Sequence, residues 1–201
     1  MFDNLFVEKY RPSTLDDIIL TEENYAVFNQ FKNQEEIPNL LFAGAPGIGK
    51  TSLAKIIVND LIVCDYLYIN ASDENDIQTI RTKCIEYAKR RPTKGKINVI
   101  ILDECDGLMQ ESQRALRNII EEYSRTTRWI LTCNYIHRII PALQSRCQSY
   151  DLTPPVLDVV KRCADILNYE KITLTEDNRD YFIKLIKKDY PDIRKCINNI
   201  Q

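Results

Sequence analysis

"LLFAGAPGIGKT", residues 40–51, runs from an apolar stretch through a glycine-rich turn into Lys-Thr. Its second part, "GAPGIGKT" (44–51), fits G-x-x-x-x-G-K-[ST] without a mismatch, and a helical pattern, "KTSLAKIIVNDLI", begins on its lysine. Strand, glycine loop and helix start, in that order, make a cradle for anions. Gly44, Gly47 and Gly49 let backbone N–H groups curl around phosphates, and the helix N-terminus adds its positive dipole end. The expected nucleotide-contacting segment therefore runs from Gly44 through Ala45, Pro46, Gly47, Ile48, Gly49, Lys50 and Thr51 to Ser52. Lys50 is expected to reach the β- and γ-phosphates of a nucleoside triphosphate, and Thr51 to ligate Mg2+.

Outward from this stretch, strands and helices alternate. "LLFA" (40–43), "YLYIN" (66–70), "INVIIL" (97–102), "RWILTC" (128–133) and "QSYDL" (148–152) read as strands, their mostly continuous hydrophobicity suiting cover on both faces. Between them, Ile77, Ile80, Cys84 and Tyr87, and again Leu116, Ile120 and Tyr123, recur at helical spacing. The pattern predicts an α/β fold with a parallel five-stranded sheet flanked by helices over residues 1–152. At Pro154-Pro155 the alternation stops, and only helical periodicity follows, near 156–168, 176–189 and 191–200. A small helical domain is expected over 153–201.

Composition sets the outer bounds. The chain has 201 residues, 44% of them apolar and 28% charged, ordinary for a globular protein with a real core. No apolar run approaches the roughly 20 residues of a membrane helix, and the N-terminus lacks the apolar core of a signal peptide, so a cytoplasmic protein without a membrane partner is expected. Seven scattered cysteines with no CxxC pair, and a single histidine, His137, argue against a zinc site; the thiols read as small buried hydrophobes. The formal net charge is −2, although "KRRPTKGK" (89–96) carries five basic residues in eight and reads as a solvated loop.

A phosphate cradle needs an acidic group at the end of another strand to act on what it binds. "INVIILDECD" provides Asp103, suited to a Mg2+ contact, and Glu104, placed to polarise an attacking water as general base. "WILTCN" ends a further strand on Asn134, whose amide would orient the water or sense the γ-phosphate. All three fall at strand carboxyl ends, where open α/β sheets bind ligands. ATP binding and hydrolysis are the expected chemistry.

The series "VEKYRP" (7–12), "GAPGIGKT", "NASD" (70–73), "LDECD" (102–106), "TCNY" (132–135), "LQSRC" (143–147) and "PDIRKCINNIQ" (191–201) resembles the small ATPase subunits of sliding-clamp loaders, of replication factor C and tailed-phage type, within the AAA+ class. The resemblance implies an ATPase that opens a sliding clamp and loads it on primer-template DNA, stimulated by both, in a ring with other loader subunits. It implies that Tyr10, Arg11, Pro12, Ile18 and Ile19 line the adenine pocket, and that Arg194 reaches back from the lid to the γ-phosphate. Arg146 has no carboxylate within ten residues except Asp151; by the resemblance it is a finger that enters a neighbour's ATP site in trans, which accounts for the missing partner. DNA contact, through the backbone rather than the bases, is expected from Arg81 and Lys83 and from Arg114 or Arg117, with Gln113 and Arg117 as an alternative link between DNA and Glu104. Three departures stand out: Cys105 where alanine is common, Pro191 where glycine is common before the lid motif, and an end at residue 201 that leaves no room for the family's collar domain. Two rival functions remain open: another AAA+ DNA machine, such as a branch-migration helicase, or an ATP-binding adaptor with negligible turnover.

Overall fold

The structure is a computed structural model that describes residues 5–34, 36–73 and 77–201. Its sheet is built from β1 (Leu40–Ala43), β2 (Tyr66–Asn70), β3 (Asn98–Asp103), β4 (Thr127–Cys133) and β5 (Gln148–Asp151), all parallel, in the order β2-β3-β4-β1-β5. The three inner strands are the apolar ones. Every residue of β1 and β3 is buried, and β4 is buried except for Arg128, so helices cover both faces as the continuous runs predict. The edge strands differ: β5 is largely exposed, and β2 buries only Ile69 fully. The polar residues of "QSYD" fit an edge, where one flank of the strand meets no neighbour.

On one face lie α2 (Glu22–Gln30) and α3 (Lys50–Ile56), the latter running on through a π-helical turn, Ile57–Leu61. With β1, β3 and the residues around Leu15 they close a core containing Phe28, Phe42, Leu53 and Ile101. On the other face α4 (Ile77–Ala88), α5 (Gln110–Glu122) and the short α6 (Pro141–Gln144) pack over Trp129, Leu131 and Ile100. In α5 the buried residues Ser112, Gln113, Leu116, Ile119 and Ile120 follow helical spacing, so one stripe faces the sheet.

A third core joins the C-terminal helices α7 (Val156–Tyr169), α8 (Glu176–Asp189) and α9 (Ile193–Ile200) around Val159, Cys163, Ile166, Phe182, Ile186 and Cys196. Phe6, Val7 and Tyr10, on and just after α1 (Phe6–Lys9), pack against this helical core together with Ile19. The N-terminal segment thus packs with residues some 150 positions away, a contact that local periodicity has no means to show. Six cysteines are buried and Cys147 is partly so; all seven are free thiols.

Candidate nucleotide-binding site

The glycine loop leaves β1 and turns into α3 with three glycines at positive φ: Gly44 at 140°, Gly47 at 77° and Gly49 at 100°. Gly47 matters most, since a Cβ there would collide with the Asp192 carboxylate that caps α9, and its own carbonyl accepts from the Arg194 backbone N–H at 3.2 Å. The helical lid is therefore fastened directly to the phosphate loop.

Lys50 is buried at the start of α3, and its Nζ donates to Gly44 O (2.9 Å), Ala45 O (2.8 Å) and Asn134 Oδ1 (2.9 Å). Burial lowers its pKa, opposed by the nearby Cys133, Asp103, Asp106 and Glu104. The link to Asn134 spans 84 residues and joins the start of α3 to the end of β4. Asn134 is itself set by Asp106, whose carboxylate accepts from the backbone N–H groups of Asn134 and Tyr135, both at 3.2 Å.

Next to the lysine, Thr51 Oγ1 donates to both oxygens of Asp103 at 2.9 Å. A hydroxyl and a carboxylate side by side are hard oxygen donors, the pair that Mg2+ takes when phosphates and water fill its other positions. Thr51 and Asp103 are thus the residues that fit the ion. Two groups absent from the sequence-based expectations hold the carboxylate: Thr132 Oγ1 donates at 2.5 Å and Tyr68 Oη at 2.8 Å. Thr132 also accepts from the Glu104 backbone N–H at 3.0 Å. Glu104 stands in left-handed backbone (φ 56°, ψ 43°), an uncommon conformation for glutamate, and its exposed side chain lines the same cavity as Thr51 and Asp103. The signal for Thr132 was present in the sequence, a hydroxyl inside an otherwise apolar buried strand.

A cleft lies between the loop, the N-terminal segment and the lid. Tyr10, Arg11, Pro12, Ile18 and Ile19 line it on one side, and Gly47, Ile48, Gly49 and Ser52 on another. From the lid come Arg194, Arg162, Ile193 and Ile197, and from the N-terminal segment also Val7 and Asp17; of these only Arg194 stood among the expected residues. Gly44, Ala45 and Pro46 form the front of the loop, with Ala45 packed on the core. Tyr10 is fixed from the lid: its Oη donates to Glu170 Oε1 at 2.7 Å, and Lys9 Nζ reaches the same oxygen at 2.6 Å. These bonds hold the Glu170 carboxyl below its usual range and raise the Tyr10 phenol and the Lys9 ammonium.

One expectation needs correcting. Arg146 does have a carboxylate partner in its own chain: Glu121, at the end of α5, accepts from Nε at 2.6 Å and from a terminal guanidinium nitrogen. The partner lies 25 residues upstream, and only the packing of α5 brings it near. Gln113 makes its hydrogen bonds to backbone groups of residues other than Glu104. It is buried, its amide donates to Leu108 O and Arg138 O at 3.0 Å, and its carbonyl accepts from Ile140 N at 2.8 Å, so all of it staples backbone. Among the basic candidates, Arg81 and Lys83 stand exposed on α4 and Arg114 exposed on α5, while Arg117, half-buried on α5, is hydrogen-bonded to Asn118.

Residues 40–154 match the ATPase family associated with various cellular activities (AAA), more than half of the chain. The chain belongs to the AAA family. As an AAA ATPase it carries the family's nucleotide-binding sheet, and it is similar to curated proteins named replication factor C small subunit. That of Archaeoglobus fulgidus is 38% identical over 98% of this chain and 63% of its own length. That of Aeropyrum pernix is 39% identical over 100% of this chain and again 63% of its own length. This chain therefore spans about 63% of the length of these relatives. Among solved structures, a single-substitution variant of Thermotoga maritima RuvB superposes with a TM-score of 0.72 at 20% identity, over 94% of this chain and 63% of the other. The T. maritima RuvB described as a Holliday junction branch migration motor gives 0.69 at 22% identity, with the same coverage. At such identity the likeness shows the AAA fold alone. Among the described residues no helix is long and apolar enough to cross a membrane.

Proposed function

We propose that this AAA chain is the ATP-hydrolysing subunit of a clamp loader, which opens a sliding clamp and places it on primer-template DNA. The observation that carries this reading is the 38–39% identity, over nearly every residue of the chain, to proteins named replication factor C small subunit. The site supports the chemistry. Lys50, held by three acceptors at the mouth of the loop, meets the β- and γ-phosphates as a fixed charge. Mg2+ on Thr51 and Asp103 supplies charge neutralisation there when bound. Glu104 takes the proton of the attacking water, which Asn134 helps to orient. Arg194 meets the γ-phosphate from the lid, and Arg146 that of a neighbouring chain in a ring of loader subunits, leaving Glu121 to do so.

DNA lies against the exposed cations Arg81, Lys83 and Arg114 of α4 and α5 and the half-buried Arg117, and clamp and DNA together stimulate turnover. The protein works in the cytoplasm or at a replication site. Residues 1–152 act as the nucleotide-binding domain and 153–201 as the lid. A branch-migration motor is less favoured, since the likeness to RuvB is one of fold only.

The test is twofold. Glu104→Gln should keep ATP affinity and lose turnover by about 10²- to 10⁴-fold. Wild type, with its companion subunits, should transfer a sliding clamp onto primed DNA in an ATP-dependent manner. Turnover without any clamp transfer would sink the loader reading, and negligible turnover would favour the adaptor.

A further inference from the structure

Two lid arginines line the nucleotide cleft, and among the described residues neither guanidinium has a carboxylate partner or a hydrogen bond. One is Arg194. The other is Arg162, half-buried on α7, which no motif singles out. Their places along the cleft differ. Toward the catalytic end the cleft adjoins a cavity lined by Thr51, Asp103 and Glu104, and Arg194 lines both. A second cavity, reaching Lys9 and Tyr169, also adjoins the cleft, and there the shared arginine on the lid is Arg162, with Tyr10 and Asp17 beside it.

Two carboxylates close to the cleft are already engaged. Seven and eight residues along α7, on the same side of the helix, Tyr169 stacks on Tyr10 at 6.4 Å and Glu170 binds Lys9 and Tyr10. The Glu170 carboxylate is thus already engaged, and Asp158, four residues before Arg162, pairs with Lys161. Asp17 is engaged too: its Oδ2 accepts from the backbone and hydroxyl groups of Ser13 and Thr14, at 3.0–3.2 Å. What remains is a planar cation with five donors, in a cleft that Tyr10, Pro12, Ile18 and Ile19 also line.

We propose that Arg162 is a nucleotide-binding residue that contacts the nucleoside end of ATP, stacking its guanidinium on the base or donating to the ring nitrogens. The inference rests on the ATP-binding reading above. A triphosphate seated on Lys50 and Thr51 directs its γ-phosphate to the Asp103 cavity, so its base points the other way, toward Tyr10 and Arg162. Arg194 and Arg162 then divide the ligand between them, one at each end.

The experiment is calorimetric titration of ATP and of ADP into wild type, Arg162→Ala, Arg162→Lys and Arg194→Ala, with urea unfolding of each nucleotide-free chain as control. A lost charge-assisted contact corresponds to roughly ten- to a hundredfold in affinity. Arg162→Ala should weaken ATP and ADP by the same factor, within that range, at an unchanged urea midpoint. Arg162→Lys should recover only part of the loss, because an ammonium cannot stack as a planar guanidinium does. Arg194→Ala should weaken ATP more than ADP. Equal affinities for wild type and Arg162→Ala would overturn the proposal, as would a loss confined to ATP or a loss matched by a lower urea midpoint. A wild type that binds neither nucleotide overturns the ATP reading itself, and the inference with it.

Discussion

Arg146 Nε donates to Glu121 Oε1 at 2.6 Å, so the arginine expected to serve a neighbouring chain is held by a carboxylate of its own. The pair joins the turn before β5 to the end of α5, and its side chains keep 28% and 48% of their exposure. Exposed pairs of this kind contribute about 0.2–1 kcal/mol, because water screens them and two long side chains must be ordered. An arginine so lightly held is free to take the proposed role of a finger.

That comparison yields the first prediction. ATP turnover per chain should rise with chain concentration in wild type, and Arg146→Ala should stay flat and fall about 10³-fold or more below it at the top. Glu121→Gln should keep full turnover and shift the half-maximal concentration by no more than about fivefold, the equivalent of a surface pair. Steady-state assays across a dilution series decide it. A collapse of turnover in Glu121→Gln would mean that the pair positions the arginine rather than parking it.

Thr51 and Asp103 stand together through two 2.9 Å contacts, and they carry the proposed Mg2+ site. Thr51→Val is nearly isosteric and removes only the hydroxyl. Turnover should then need a higher Mg2+ concentration for half-maximal rate, while unfolding of the nucleotide-free chain changes little, since Asp103 keeps Thr132 and Tyr68. A titration of Mg2+ against rate measures this, and superimposable curves would remove Thr51 from the metal site.

Thr132 binds two elements of the site at once, the Asp103 carboxylate and the Glu104 backbone N–H. Thr132→Val leaves both without that partner in a buried place, at a cost of about 1–3 kcal/mol in unfolding free energy. Because the left-handed Glu104 loses its backbone anchor, kcat should drop more than ATP affinity. Urea unfolding and steady-state kinetics check the two halves separately. A variant that is destabilised yet fully active would leave Thr132 a purely structural residue.

Burial pushes the thiols of Cys64, Cys133, Cys147 and Cys163 up to about 12. Their ordinary value is near 9, so between about pH 9 and 12 the unfolded chain releases these protons while the folded chain keeps them. The folded state then binds more protons, and stability falls as pH rises through that window. Each thiol contributes a slope of about 1.4 kcal/mol per pH unit. Lys50 acts with the opposite sign, its pKa being lowered, but it is one group against four thiols. The urea midpoint should therefore decline steeply above pH 9, and less steeply in the double variant Cys64→Ala, Cys163→Ala. Equal slopes would show that other groups govern the alkaline limb.

By itself the sequence determined the strands, the phosphate loop and the residues that follow each strand, because these depend on short-range rules. Gly44, Gly47 and Gly49 admit positive φ, short apolar runs make inner strands, and Lys50, Thr51, Asp103 and Asn134 sit at their strand or helix ends by position alone. Even the C-terminal helices were legible from periodicity to within two or three residues at their ends. Only the tertiary structure decided which groups meet. The order β2-β3-β4-β1-β5 places β4 between the phosphate loop and Asp103, and so sets Thr132 under that carboxylate and Asn134 on Lys50. Packing of the N-terminal segment into the lid core brought Tyr10 to Glu170 across 160 residues, and the fold of α5 over the sheet gave Arg146 its partner. Hydrogen bonds and apolar contacts act over a few ångströms of space irrespective of chain separation, so pairs far apart in sequence leave no periodic trace until the chain has folded.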